Sequence, residues 1–176
     1  MNFRTLVELP EKEVKIGHSE RIMLWGSCFV ENIGRRMTEN KFRCNVNPLG
    51  ILYNPISIAS SLQQVLEGKV YGETDLFQAS GMWHSWMHHS DFSASTSEEC
   101  LKRINDGIST VAESLSHTDW LVVTWGTAYV YTLRQTGTVV GNCHKQPDKL
   151  FSRRKLDVAE IVEAWKQLIT DLRSLN

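Results

Sequence analysis

The short apolar run Arg21-Ile22-Met23-Leu24-Trp25, ended by Gly26, constrains this chain more than any other feature. A run without polar alternation suits a strand buried on both faces, as in the middle of a parallel sheet. Directly after it Phe29, Ile33 and Met37 recur every fourth residue while Glu31, Arg35, Arg36 and Glu39 lie elsewhere, which predicts an amphipathic helix from Cys28 to Asn40. The local order is strand, Ser27, helix. A second apolar run, Asp119 to Thr124, follows a helical face made of Leu101, Ile104, Ile108, Val111 and Leu115. Strand, helix, strand therefore recurs, and the expected class is α/β, with three layers in which helices flank a mostly parallel, flavodoxin-like sheet.

The remaining signals fit around that frame. Cys44 to Asn47 reads as a second strand, Asn47-Pro48-Leu49-Gly50 as a turn, and Pro55 as the opening of a helix carrying Ile58, Leu62, Val65 and Leu66. Residues 68–93 show no regular period. Ser95 with Glu98 has the order of a capping box. Tyr129–Leu133 and Thr138–Val140 flank Gln135-Thr136-Gly137, predicting a hairpin insertion near 128–142. Asp157 with Glu160 caps a last helix, Leu156 is placed to staple onto Ile161, and the buried face expected is Val158, Ile161, Val162, Trp165, Leu168, Ile169 and Leu172. No repeat or linker divides residues 1–176, so one domain is expected.

Composition excludes several classes. Hydrophobic residues at 41 % and charged residues at 22 % suit a folded globular chain rather than a disordered one. Lys plus Arg number 19 against 20 Asp plus Glu, so no global field gathers nucleic acid or anionic lipid, and neither is expected as a partner. Cys28, Cys44, Cys100 and Cys143 form no Cys-x-x-Cys pair and are expected as free thiols. The charges in Met1 to Pro10 break any signal-peptide core, no segment nears the roughly 20 apolar residues of a membrane span, and a cytoplasmic location is expected.

Ser27 has the one address that suggests chemistry. A serine just past the carboxyl end of a parallel strand stands where open α/β sheets bind ligands, and the following helix aims unsatisfied N–H groups at it. The N–H of Cys28 would then serve an oxyanion formed by attack of Ser27 Oγ. Serine is also an ordinary helix N-cap, and the pattern alone favours the cap. Cys28 is a rival nucleophile at the same terminus, although a buried, inert thiol is the commoner fate. Trp83-His84-Ser85-Trp86-Met87-His88-His89 offers titratable groups and aromatic faces suited to sugar rings, set against simple core filling. A zinc site from His84, His88 and Asp91 would need a helix there, which Gly81 and the serines disfavour, so neither metal nor cofactor is expected.

Gly26-Ser27-Cys28-Phe29 with Glu31-Asn32-Ile33-Gly34, then Asn47-Pro48-Leu49-Gly50-Ile51-Leu52-Tyr53-Asn54-Pro55, resembles the bacterial GSCFA-domain family. His88-His89-Ser90-Asp91-Phe92, Trp125 to Tyr131 and Asn142-Cys143-His144-Lys145 resemble later blocks of it, and the resemblance runs from about Phe3 to the end. It implies a branch of the SGNH, or GDSL-type, hydrolases, whose serine after the first strand cleaves esters, often acyl groups on carbohydrates. Position by position it implies Ser27 as nucleophile and the backbone N–H groups of Cys28 and Gly50 as the oxyanion hole.

The sequence departs from that pattern in three places. Val30 replaces the alanine of the family motif, with no functional effect expected. The third SGNH block, Gly-x-Asn-Asp, has only Gly126-Thr127-Ala128-Tyr129 as a counterpart, leaving Thr127 or Asn142 as the missing donor. No aspartate has a histidine three residues later, so the Asp-x-x-His pair that activates the serine is absent. The chain is accordingly read as incomplete at its C-terminus, its acid-base histidine lying outside it or replaced by His89 or His144. Trp83, Trp86 and His88 are the expected substrate contacts. The expected function is an esterase or deacylase on a carbohydrate or small ester; the alternatives are a non-catalytic saccharide- or protein-binding domain and an inactive fragment.

Overall fold

The computed structural model describes residues 15–175. Met1 to Pro10, considered above for a signal core, and the start of the family resemblance at Phe3 lie outside the described residues. Strand β1 (Arg21–Trp25) is the middle of a parallel three-stranded sheet, between β2 (Arg43–Val46) and β5 (Trp120–Val123). Leu24 pairs with Val46 on one side and Val122 on the other. Alternate β1 residues serve two cores, which explains the unbroken apolar run. Ile22 and Leu24 pack with Val30 on the face covered by α1 (Cys28–Glu39). Met23 and Trp25 face the larger core, built with α2 (Pro55–Leu66), α3 (Ser97–Leu115) and α4 (Val158–Arg173).

The expectation of a mostly parallel sheet holds for these three strands only. Residues 68–93 form an antiparallel pair, β3 (Leu76–Ala79) with β4 (Met82–Ser85), where no regular element was expected. The hairpin expected near 128–142 is present as β6 (Tyr129–Leu133) and β7 (Val139–Val140). It extends into a separate antiparallel sheet by pairing β6 with β8 (Phe151–Lys155). The sequence of β8, Phe-Ser-Arg-Arg-Lys, hides its strand character because only Phe151 is buried and Arg153 to Lys155 face solvent.

Three helix expectations need correction. On α1 the buried residues are Val30 and Gly34, whereas Phe29 is 61 % exposed and Ile33 is also exposed. A Cβ on Gly34 would lie 2.4 Å from Val46 Cγ2, so the helix seats on β2 through the residue with no side chain. Of the periodic apolar residues only Met37 packs against the core beneath the helix. The cap of α3 is Thr96, whose Oγ1 accepts from the N–H of Glu99 at 3.2 Å, one residue beyond the Ser95 expected. Both pairs fit the capping pattern, but the Glu99 carboxylate turns forward to Arg103. On α4 the Asp157–Glu160 capping box forms as expected, but Val158, Val162 and Ile169 are exposed. The helix docks on α2 through one narrow stripe around Trp165, whose indole N–H donates to the Pro55 carbonyl at 3.1 Å, and residues flanking that stripe stay in water.

Among the described residues all four cysteines are free and no helix is long and apolar enough to cross a membrane. The Gly34 contact yields a sharp test. Alanine favours a helix interior over glycine by about 1 kcal/mol, yet Gly34→Ala is expected to destabilise the protein by about 1–3 kcal/mol through overpacking. Adding Val46→Ala should recover most of that loss in urea denaturation; a more stable Gly34→Ala single variant would show the seating to be wrong.

Candidate active site

Because β1, β2 and β5 are parallel, the loops after them, 26–27, 47–54 and 124–128, emerge at one edge of the sheet. Gly26 is the pivot. It has φ +151°, and a Cβ would lie 2.3 Å from Thr124 Oγ1 and 2.5 Å from the Thr124 carbonyl oxygen. Its carbonyl accepts from the Leu52 N–H at 3.2 Å, and its N–H donates to Asn47 Oδ1 at 2.8 Å. The buried Asn47 spends its other groups as fully. Its backbone N–H donates to the Leu24 carbonyl at 2.8 Å, its carbonyl accepts from the Gly50 N–H at 2.8 Å, and Nδ2 donates to Glu31 Oε2 at 2.9 Å. One carboxamide therefore joins the strand end, the first turn of α1 and the loop after β2.

Ser27 follows in extended conformation as the N-cap of α1, buried at 7 % exposure, with Oγ accepting from the Phe29 N–H at 3.3 Å. The cap favoured by sequence pattern is formed, at the position where a nucleophile was expected. As first residue of the helix, Cys28 has an N–H without an intrahelical acceptor, and its thiol is exposed. The Gly50 N–H is engaged in the turn with Asn47, so it serves an oxyanion only by giving up that bond. Gly126 abuts the serine: a Cβ there would be 3.2 Å from Ser27 Cβ and 3.5 Å from both Ser27 Oγ and Tyr53 Cδ1.

Beyond Tyr53 lies a cavity of about 370 Å³ whose lining includes His89, Thr127, Asn142, Tyr129 and Tyr131. Three residues singled out in the sequence for different reasons, His89, Thr127 and Asn142, thus meet there. Thr127 uses its N–H on the Tyr53 carbonyl at 3.1 Å and its Oγ1 as acceptor from the Tyr129 N–H. Asn142 Oδ1 accepts from the His144 N–H at 2.8 Å, leaving the Nδ2 hydrogens for the cavity. His89 backs onto Gly50, where an added Cβ would come within 2.4 Å of His89 Cβ. Its Nδ1 lies 3.0 Å from Asp91 Oδ2 and 3.4 Å from the Asp91 N–H. The shorter, charge-assisted contact dominates when Nδ1 carries the proton, and Nε2 is then a free base. No histidine bonds Ser27 Oγ among the described residues.

The other expected residues lie elsewhere. His144 donates its Nε2–H to the Ser85 carbonyl at 2.8 Å, within an aromatic group that includes His84 and Phe77, and burial holds its pKa below the ordinary value. Trp86 stacks on Phe77 at 3.6 Å, which covers one face of the indole, and Trp83 is half-buried against the main core with a backbone bridge to Ala94. His88 is 2 % exposed, bonded to Ser85 Oγ at 3.0 Å and enclosed by Tyr71 and Phe92, so its ring fills the core rather than meeting a solute. His84 sits on a strand, its ring nitrogens on Ser93 Oγ and the Ala79 carbonyl, and no metal-binding group of three His, Cys, Asp or Glu forms among the described residues.

Sequence inspection missed two features. Asp91 follows its histidine, His-x-Asp, so a search for Asp-x-x-His passed over it. The exposed aromatics that line the cavity are Tyr53, Tyr129 and Tyr131, with Trp125 exposed in the loop after β5, whereas Trp83 and Trp86 are half-buried.

The enclosure of His88 has a measurable consequence. Burial, then the Lys69 and His144 charges, lower its pKa from the ordinary 6.5 to about 4. The unfolded chain therefore takes up a proton that the native state refuses. The associated stability is complete above pH 6.5 and is lost as pH falls toward 4, amounting to about 3 kcal/mol. Urea unfolding at pH 7 and pH 4 should show this fall, and His88→Gln should remove it; the same pH dependence in both proteins would contradict the assignment.

Residues 21–176 match the model of the GSCFA family, a span that opens at the first residue of β1 and takes in every element described above. No curated protein and no solved structure matches the chain. With the Gly26-Ser27-Cys28-Phe29 elbow and the loops around it all inside the matched span, the chain belongs to the GSCFA family.

Proposed function

We propose that this protein is a serine ester hydrolase of SGNH type, with Ser27 as nucleophile and the three-layer architecture of that class. The observation that carries the proposal is Ser27 itself, an extended N-cap held at the carboxyl edge of a parallel sheet and at a helix N-terminus. Ser27 Oγ attacks the ester carbonyl carbon, and its proton passes to His89 Nε2, while Asp91 holds the proton on Nδ1. The Cys28 N–H and Asn142 Nδ2 receive the oxyanion, a duty that does not require breaking the Gly50 turn. The alcohol leaves with the proton from His89; water then attacks the acyl-enzyme, gives a proton back through His89, and releases the acid with Ser27 restored. Closure of the site on substrate has to bring His89 to the serine, since catalytic hydrogen bonds often tighten only in the complex. The exposed rings of Tyr53, Trp125 and Tyr129 support a carbohydrate ester as substrate, because flat aromatic faces stack on sugar rings.

One observation favours a second reading. Ser27 Oγ is bonded to the Phe29 N–H rather than to a base, which suits a domain that binds a saccharide without turning it over.

Hydrolysis of p-nitrophenyl acetate separates the two. Ser27→Ala is expected to lower kcat/KM by about 1000-fold or more and His89→Ala by a similar factor, with Asp91→Asn costing about tenfold or more in kcat. Unchanged turnover in Ser27→Ala would refute the hydrolase. If His89→Ala and Asp91→Asn leave kcat intact while Ser27→Ala abolishes it, the base is another group.

A further inference from the structure

A cleft of about 770 Å³ opens on a different part of the surface, between α2, the β3–β4 pair and the β6–β7 hairpin. Ile56, the second residue of α2, lies on one side. Phe77 and Trp86 line a second side, and Leu133 and Val139 of the hairpin a third. All five are half-buried. The deeper polar groups are already matched within the protein: Tyr71 donates to Gln64 Oε1 at 2.8 Å, and Ser85 Oγ accepts from the Met87 N–H at 3.2 Å and meets His88 Nδ1 at 3.0 Å. The inner surface therefore asks for an apolar body.

The rim asks for the opposite. Lys69 is paired with Asp75, the one acidic residue of the lining, at 3.4 Å. Arg134 at the hairpin and Lys149 before β8 are exposed and have no carboxylate partner among the described residues. An apolar trough with two uncompensated cations at its mouth discriminates by charge as well as by hydrophobicity. A neutral sugar would gain nothing from the cations at the mouth and little from Ile56, Phe77, Trp86, Leu133 and Val139, and a cation would meet like charge.

We infer that this cleft is a binding site for an amphiphilic carboxylate, its apolar body on Phe77, Trp86 and Leu133 and its anionic head between Arg134 and Lys149. The site is independent of Ser27 and of any turnover there.

Calorimetric titration of the full chain with octanoate, octanol and octyltrimethylammonium tests it. Octanoate should bind once per chain, about tenfold or more tighter than octanol, with the ammonium compound weaker than both. Reversing the rim charges with Arg134→Glu and Lys149→Glu, both exposed and outside the core, should remove the octanoate preference while leaving octanol binding unchanged. Leu133→Asp should weaken both. Equal affinity for octanoate and octanol, unaltered octanoate binding in the charge-reversed protein with a native circular dichroism spectrum, or the absence of saturable binding would each overturn the inference.

Discussion

The carboxamide of Asn47 is the interaction on which the rest of the site depends. It takes the Gly26 N–H and gives its own N–H to Glu31, while the Asn47 backbone ties the end of β1 to the turn at Gly50. Asn47 and the Gly26 N–H are withdrawn from water, where an unmatched polar group costs about 1–3 kcal/mol. The strand end, the helix start and the loop after β2 therefore cannot shift separately. Ser27 inherits its position from this lock: Gly26 cannot carry a side chain beneath Thr124, and Gly126 closes against the serine from β5. The chemistry proposed for Ser27 rests on that convergence.

The same constraint explains which parts of the fold were legible in the sequence. The β1 run announced itself because alternate residues enter two different cores, and a strand buried twice has no polar alternation. The α4 start was legible because Asp157 and Glu160 satisfy backbone groups locally, needing no partner from elsewhere. Where tertiary contact decides, the pattern failed. Phe29 and Ile33 share a helical spacing with Met37, but only Met37 meets the core, because α1 presses its Gly34 side onto Val46. The strand β8 lies at a sheet edge with three basic residues in water, so its pairing with β6 leaves almost no trace in composition.

The site divides along the same line. Ser27 and Cys28 were placed by a local signal, strand then glycine then helix. His89, Thr127 and Asn142 were named separately, and only the fold brings them to one cavity. His88 and His144 lie in the same titratable-rich stretches, yet one is sealed in the core and the other is bound to the Ser85 carbonyl; sequence carries no sign of that difference. The Asp91 carboxylate was hidden by its order in the chain, because a histidine can be oriented equally well by an acid that follows it.

An elbow built to present a serine makes a direct demand: Ser27 Oγ must be more reactive than every other hydroxyl in the chain. Intact-mass analysis after treatment with a fluorophosphonate, followed by peptide mapping, measures this without knowledge of the substrate. The account predicts one adduct per native chain, located on Ser27 and absent after denaturation before labelling. No adduct on the native protein, or an adduct on a different serine, would contradict it.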